Sequence, residues 1–265
     1  MSNVNEVNVK QCCAAFYGSD LARLLLGESF HPGGTSLTER LGQLTQLSHH
    51  SRVLDVAAGR GTSAFHVART FGCDIVGVDL SENNVTLATE EALKRRLADR
   101  VSFRVADAER LPFDAHSFDA ILCECAFCTF LNKQAAAEEF FRVLTPQGRL
   151  GFSDLTKTAD HMPELDGLLS WVACIGDAKP VESYVRTLRR ANLTIEQIED
   201  HSHALTEMFH QIQGRLPGVE IAAGLKKLDF PNVDFSEAKR FIGSARDAIK
   251  DRKLGYTAIS AVKPH

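Results

Sequence analysis

Val53-Leu54-Asp55-Val56-Ala57-Ala58-Gly59-Arg60-Gly61-Thr62 is the stretch that decides how the rest of the chain is read. A short apolar strand, Arg52 to Val56, carries the acid Asp55. Small residues then turn the chain into a helix expected over Thr62 to Phe71. Ala57, Gly59 and Gly61 have little or no side chain, so a ligand can lie directly on the backbone. The amides at the helix start point at such a ligand. Downstream, Asp74 to Asp79 reads as the next strand, and Ser81 caps a helix reaching about Leu97. Val101 to Val105 and Phe118 to Cys123 read as strands three and four. A helix from about Lys133 to Leu144 is followed by a turn, Thr145-Pro146-Gln147-Gly148, and a fifth strand, Arg149 to Ser153. Strand–helix alternation with short turns predicts a Rossmann-like α/β fold, a mostly parallel sheet with helices on both faces.

The flanks add to this core. Apolar positions between residues 8 and 26 fall near a 3.6 period, which predicts an N-terminal helix. His31-Pro32-Gly33-Gly34 breaks it, and Thr35 or Ser36 caps the next helix, with Glu39 completing a capping box from Ser36. After the fifth strand, residues 164–175, 180–191, 203–226 and 235–251 look helical. Leu193 to Ile198 and Gly255 to Val262 read as strands, the latter closing the sheet.

The chain has 265 residues, 44% of them apolar, with no repeat and no linker-like tract. That predicts one domain with lid helices over 1–45, a cofactor-binding core over 46–160 and acceptor-side elements over 161–265. The net charge is −4 with both signs interspersed, which argues against a nucleic-acid partner. No apolar run approaches a membrane span, and the polar N-terminus lacks a signal pattern, so the expected location is cytoplasmic, with no membrane partner. Seven cysteines, an odd number in a chain this long, read as thiols and not as a disulfide framework.

Three carboxylates follow successive strands and decide the ligand. Asp55 would repel a pyrophosphate but suits a cation, such as the ammonium of S-adenosylmethionine. Asp79, 18 residues after Gly61, can accept both ribose hydroxyls, with Leu80 beside it. Asp107 can accept from the adenine amino group, with Ala108 as a neighbouring backbone donor. Singly, each could be a turn or a strand-end cap. Together, in this order and spacing, they resemble the class I S-adenosylmethionine methyltransferases. Asp55-Val56-Ala57-Ala58-Gly59-Arg60-Gly61 resembles the loop of the quinone C-methyltransferase branch. The runs Val76-Gly77-Val78-Asp79, Ala106-Asp107-Ala108, Leu111-Pro112-Phe113 with Ser117 to Ile121, and Leu144 to Gly148 fit the family's later motifs. The resemblance spans about residues 15 to 200. It implies a seven-stranded sheet with an antiparallel last strand, a C-terminal helical insertion before it, and S-adenosylmethionine as cofactor. It also implies an N-terminal lid, here Tyr17-Gly18, Gly33-Gly34 and Thr35, with Tyr17 near the methionine end.

The acceptor end is read from Cys123-Glu124-Cys125-Ala126-Phe127-Cys128 at the end of strand four. Here the chain also resembles the arsenite methyltransferases, with one cysteine at Cys125. A second, Cys174, lies in Trp171-Val172-Ala173-Cys174-Ile175-Gly176-Asp177-Ala178 ahead of Tyr184. Soft thiolates suit trivalent arsenic, and Cys12 or Cys13 is a candidate third thiol. Three departures stand out: no cysteine between Cys13 and Cys73, Glu124 in place of the family's asparagine, and the C-terminal domain of many members reduced here to helices and a final strand. The bland reading is that cysteine is a small buried hydrophobe. Strand alternation points Cys123 into the core, although it is also carried as a cofactor neighbour. Glu124 is either a base or a holder of the methionine ammonium. The expected activity is therefore methyl transfer to a small soft acceptor, arsenite or a small thiol. The alternatives are a C-, O- or N-methyltransferase of a quinone-like or natural-product molecule, and a non-catalytic cofactor-binding scaffold. A homodimer stays open, and no resident metal is expected.

Overall fold

The computed structural model describes residues 16–17, 19–27, 29–158, 162, 165, 169–170, 173–224 and 234–265. Elements in chain order are α1 (Asp20–Leu26), α2 (Gly34–Leu44), β1 (Arg52–Val56), α3 (Thr62–Phe71), β2 (Asp74–Asp79), α4 (Glu82–Lys94), β3 (Val101–Val105) and β4 (Phe118–Glu124). A 3-10 turn (Phe127–Thr129), α5 (Lys133–Val143), β5 (Leu144–Lys157), α6 (Val181–Arg190), β6 (Thr194–Asp200), α7 (Ser202–Gly224), α8 (Phe235–Lys250) and β7 (Leu254–Val262) follow.

The seven strands form one sheet in the order β3-β2-β1-β4-β5-β7-β6. β1 to β5 pair in parallel, and β7 runs antiparallel between β5 and β6. This is the Rossmann-like sheet expected from the alternation, with the last strand inserted antiparallel. Strand order reverses between β1 and β4, so the crevice for a ligand lies at their carboxyl ends. Both faces of the central strands are buried. Val53, Leu122 and Phe65 belong to one apolar cluster, and Leu54, Ile121, Phe127 and Phe140 to the other.

Several boundaries differ from the sequence expectation for identifiable reasons. β5 covers 14 residues, through the expected turn at Thr145 to Gly148, because Leu144 already pairs with Phe118 of β4 and its antiparallel partner β7 keeps pairing as far as Lys157↔Leu254, well past Ser153. α4 stops at Lys94, ahead of Arg96 in the left-handed region (φ 58). α2 begins at Gly34 and not after a Ser36 cap. Its N-cap is Gly33 at φ 82, where an added Cβ would sit 2.7 Å from that of Leu37. The expected helix over 8–26 is described only from Asp20 to Leu26 as α1, with Phe16 and Tyr17 ahead of it; residues 1–15, with Cys12 and Cys13, lie outside the described residues. So do Gly18, Trp171 and most of the helix expected over 164–175.

Candidate active site

A cavity opens at the switch point, where the carboxyl ends of β1 and β4 part. The loop after β1 holds three left-handed residues, Ala57 (φ 57), Gly59 (φ 55) and Gly61 (φ 82). The Ala58 amide donates to the Val78 carbonyl at 2.9 Å, and the Gly61 amide donates to that of Ala58 at 2.9 Å. A non-glycine residue in this region costs energy and persists where the surroundings hold it, which is common at ligand sites.

Asp55 is 3% exposed, and its Oδ2 has no hydrogen-bond partner among the described residues. Burial first, then Glu124 and Asp79, hold its carboxyl well above the ordinary carboxylate range. A buried acid with an open acceptor, beside two other acids, fits a cationic group and not a phosphate. Asp79 is fixed at the end of β2. Its Oδ2 accepts from the Gly59 amide at 2.8 Å, and its Oδ1 accepts from the Ser81 amide at 2.8 Å and Asn84 Nδ2 at 3.2 Å. Burial raises its carboxyl, and these donors pull the other way. After β3, Asp107 Oδ1 accepts from the Glu109 amide at 3.0 Å.

Glu124 ends β4 with its side chain 4% exposed. The Thr38 hydroxyl, on α2, lies 3.0 and 3.1 Å from its two oxygens, and His31 Nδ1 lies 3.5 Å from Oε2. His31 Nε2 faces Ser63 Oγ at 3.3 Å and Thr38 Oγ1 at 3.5 Å. One network thus joins the segment before α2, α2 itself, the first turn of α3 and the end of β4. Arg60, in the glycine loop, ties that loop to α1 through Asp20 at 3.2 Å.

The thiols form a second group beside the cavity. Cys125 (φ 52) and Cys174 (φ 61) are both non-glycine residues in the left-handed region. The Cys125 amide donates to the Ser153 carbonyl at 2.7 Å, anchoring it to β5. Cys174 Sγ lies 3.1 Å from the Tyr17 hydroxyl and 3.3 Å from the Cys125 carbonyl oxygen. The Cys125 thiol, then that of Cys128, then the Tyr17 hydroxyl stabilise a Cys174 thiolate and hold its pKa well below the ordinary thiol value, despite burial. The thiols giving those hydrogen bonds are themselves pushed up, Cys125 mainly by Cys174 and Cys128 mainly by burial. Behind them Asp154 accepts from the Cys128 amide at 2.7 Å, and burial with the Cys174 charge raises its carboxyl to about 7. Among the described residues, no group of three His, Cys, Asp or Glu side chains is arranged to hold a metal ion. No helix among them is long and apolar enough to cross a membrane.

The cavity wall carries Tyr17, Asp55, Ala57, Gly59, Asp79, Leu80, Asp107, Ala108, Glu124 and Cys125 of the residues singled out from sequence. Five others stand off it. Gly61 caps α3 and packs toward Phe103 and Phe65. Gly34 and Thr35 sit in the first turn of α2, because that helix starts early. Cys123 is fully buried in the core, opposite Glu124 as strand alternation requires. Cys174 lies behind Tyr17 and Cys125. Sequence reasoning missed His31, Ser63 and Asn84 on the wall and Thr38 behind it. His31 was read only as part of a helix break.

The comparisons agree with this fold. Residues 47–213, well over half of the chain, match the family model described as a methyltransferase domain. The chain is 27% identical, over 93% of its length and 94% of the relative's, to 27-O-demethylrifamycin SV methyltransferase of Amycolatopsis mediterranei (strain S699). Among solved structures it resembles phosphoethanolamine N-methyltransferase 2 of Haemonchus contortus in complex with S-adenosyl-L-methionine. The TM-score is 0.76 at 21% identity, over 100% of this chain but only 58% of that one. It also resembles the cyclase SpnF, with a TM-score of 0.77 at 24% identity and 97% of each chain covered, so the same fold supports other chemistry. The chain belongs to the methyltransferase-domain family, in the class I fold whose cofactor is S-adenosylmethionine.

Proposed function

We propose that this methyltransferase acts on a small soft nucleophile, trivalent arsenic or a small alkyl thiol, held against Cys125 on the cavity wall with Cys174 directly behind it. The observation that carries the reading is Cys174 itself. It is buried and left-handed, and its sulfur is surrounded by two thiols and the Tyr17 hydroxyl next to the cofactor cavity. Thiolates of this kind favour soft centres. When bound, S-adenosylmethionine supplies an electrophilic methyl on a positively charged sulfur. Asp55 accepts from the cofactor's ammonium, Asp79 from the ribose hydroxyls, and Asp107 from the adenine amino group. The backbone at Ala57 and Gly59 gives the close approach. Tyr17 holds the Cys174 sulfur, and Phe30, Ala126 and Phe130 on the wall exclude water from the reacting end.

A second reading, transfer to a hydroxyl of a larger natural product, is favoured by the match to 27-O-demethylrifamycin SV methyltransferase along nearly its whole length. The test is release of S-adenosylhomocysteine by the full chain under reducing conditions. Three acceptors are offered in parallel: arsenite with excess glutathione, a small alkyl thiol, and a polyketide alcohol. On the first two, Cys125→Ser and Cys174→Ser are expected to lower kcat/KM by on the order of 100-fold, the scale of lost metal-site partners. Turnover only on the alcohol, unaffected by both changes, overturns the soft-acceptor reading in favour of the second. Cofactor binding without turnover on any acceptor overturns both.

A further inference from the structure

The cavity's charges are unbalanced. Among the described residues four acids, Asp55, Asp79, Asp107 and Glu124, line it, against one guanidinium, Arg60, which is paired with Asp20. Each acid is held differently. Among the described residues Asp79 accepts from three donors, the Gly59 amide in the loop after β1 and the Ser81 amide and Asn84 side chain at the start of α4. Asp55 Oδ2 has none among the described residues. Glu124 is gripped through both oxygens by one hydroxyl, Thr38, and flanked by His31, so its carboxyl group is fixed in place at the end of β4. β4 is also the strand that continues into Cys125, which lines the same cavity and which the proposed function puts at the reacting end.

S-adenosylmethionine and its product differ at one place. The sulfur is a sulfonium cation before transfer and a neutral thioether afterwards, while ammonium, carboxylate, ribose and adenine are shared. A fixed carboxylate at the reacting end therefore attracts the substrate form more than the product. We propose that Glu124 is the residue that makes this site prefer the sulfonium cofactor over its thioether product, with Thr38 and His31 as its positioning residues. The preference promotes product release after each turnover. The inference rests on S-adenosylmethionine as the cofactor and is independent of the acceptor.

Isothermal titration of the full chain with S-adenosylmethionine and, separately, S-adenosylhomocysteine tests it. Glu124→Gln is expected to weaken the first by about tenfold, about 1.4 kcal/mol, and the second by less than about threefold. Thr38→Val, which keeps the volume and loses the hydroxyl, is expected to narrow the preference in the same direction. It also serves if the Gln variant fails to fold. Asp55→Asn, facing the shared ammonium, is expected to weaken both ligands alike. Equal weakening of both by Glu124→Gln assigns Glu124 to the ammonium and overturns the inference. Unchanged binding with lost turnover assigns it as a base, and overturns it too. Binding of neither ligand by the unaltered chain overturns the cofactor assignment instead.

Discussion

Gly61→Ala has two separable costs that the structure puts within reach of measurement. Gly61 is the N-cap of α3 at φ 82 and ψ 12, in the left-handed region. An alanine there pays about 1–2 kcal/mol for the backbone alone. Its Cβ would also lie 2.6 Å from Phe103 Cζ and 3.0 Å from two atoms of the Phe65 ring. Phe65 is 1% exposed and cannot move freely. Overpacking of this kind adds about 1–3 kcal/mol. The sum, roughly 2–5 kcal/mol, corresponds to a fall in Tm of about 5–15 °C for a chain of this size. Thermal unfolding followed by circular dichroism measures it. Adding Phe103→Leu is expected to recover the overlap part and leave the backbone part, so the double-mutant cycle should show coupling. A Tm unchanged within about 2 °C, or no coupling to Phe103, refutes the reasoning. Because Gly61 stands off the cavity wall, its cofactor affinity in the folded state should change less than that of Asp55→Asn.

Three further outcomes are expected. Tyr184→Phe removes a buried hydroxyl that accepts from the Lys179 amide at 3.0 Å and donates to the Leu155 carbonyl at 3.1 Å. Both backbone groups lose their partner, so chemical denaturation should show a loss of about 1–3 kcal/mol. Asp154, raised to about 7 by burial and the Cys174 charge, binds its proton more tightly when folded. Its contribution is therefore full below the unfolded carboxyl pKa and is lost as pH rises toward about 7. Asp154→Asn keeps a neutral group there, so its Tm relative to the unaltered chain should be higher at about pH 8 than at about pH 5. Tyr17→Phe takes one donor from Cys174, so ultraviolet titration of the thiolate should move to higher pH, while Cys73, pushed up to about 11 mainly by burial, should not respond.

Much of the fold could be read from the chain because its central strands and helices follow local rules. Ser81 caps α4 through a hydrogen bond to Asn84, and Asn132 caps α5 through Ala135. Sheet order follows from alternation with short turns. Features decided by distant parts of the chain were harder to read. The length of β5 depends on β7, about a hundred residues away. The partner of Thr38 on α2 is Glu124, 86 residues on. The acids of the cavity were legible because each lies at or within two residues of the carboxyl end of a strand. His31 and Thr38 were not, because a lone histidine in a turn and a threonine in a helix carry no local signal. The thiols were half legible. Cys125 and Cys174 were picked out by resemblance, but Cys128 as a donor to Cys174 required the 3-10 turn after β4.

The most direct test of the central claim is the fate of a labelled methyl. The full chain, reduced, is given S-adenosylmethionine carrying a deuterated methyl group, with arsenite, a small thiol and a polyketide alcohol together in one vessel, and the products are identified by mass spectrometry. The account predicts the label on arsenic or on the thiol sulfur, with no labelled product when Cys125 and Cys174 are both serine. Label found only on the alcohol oxygen, at equal yield in the double variant, would contradict it.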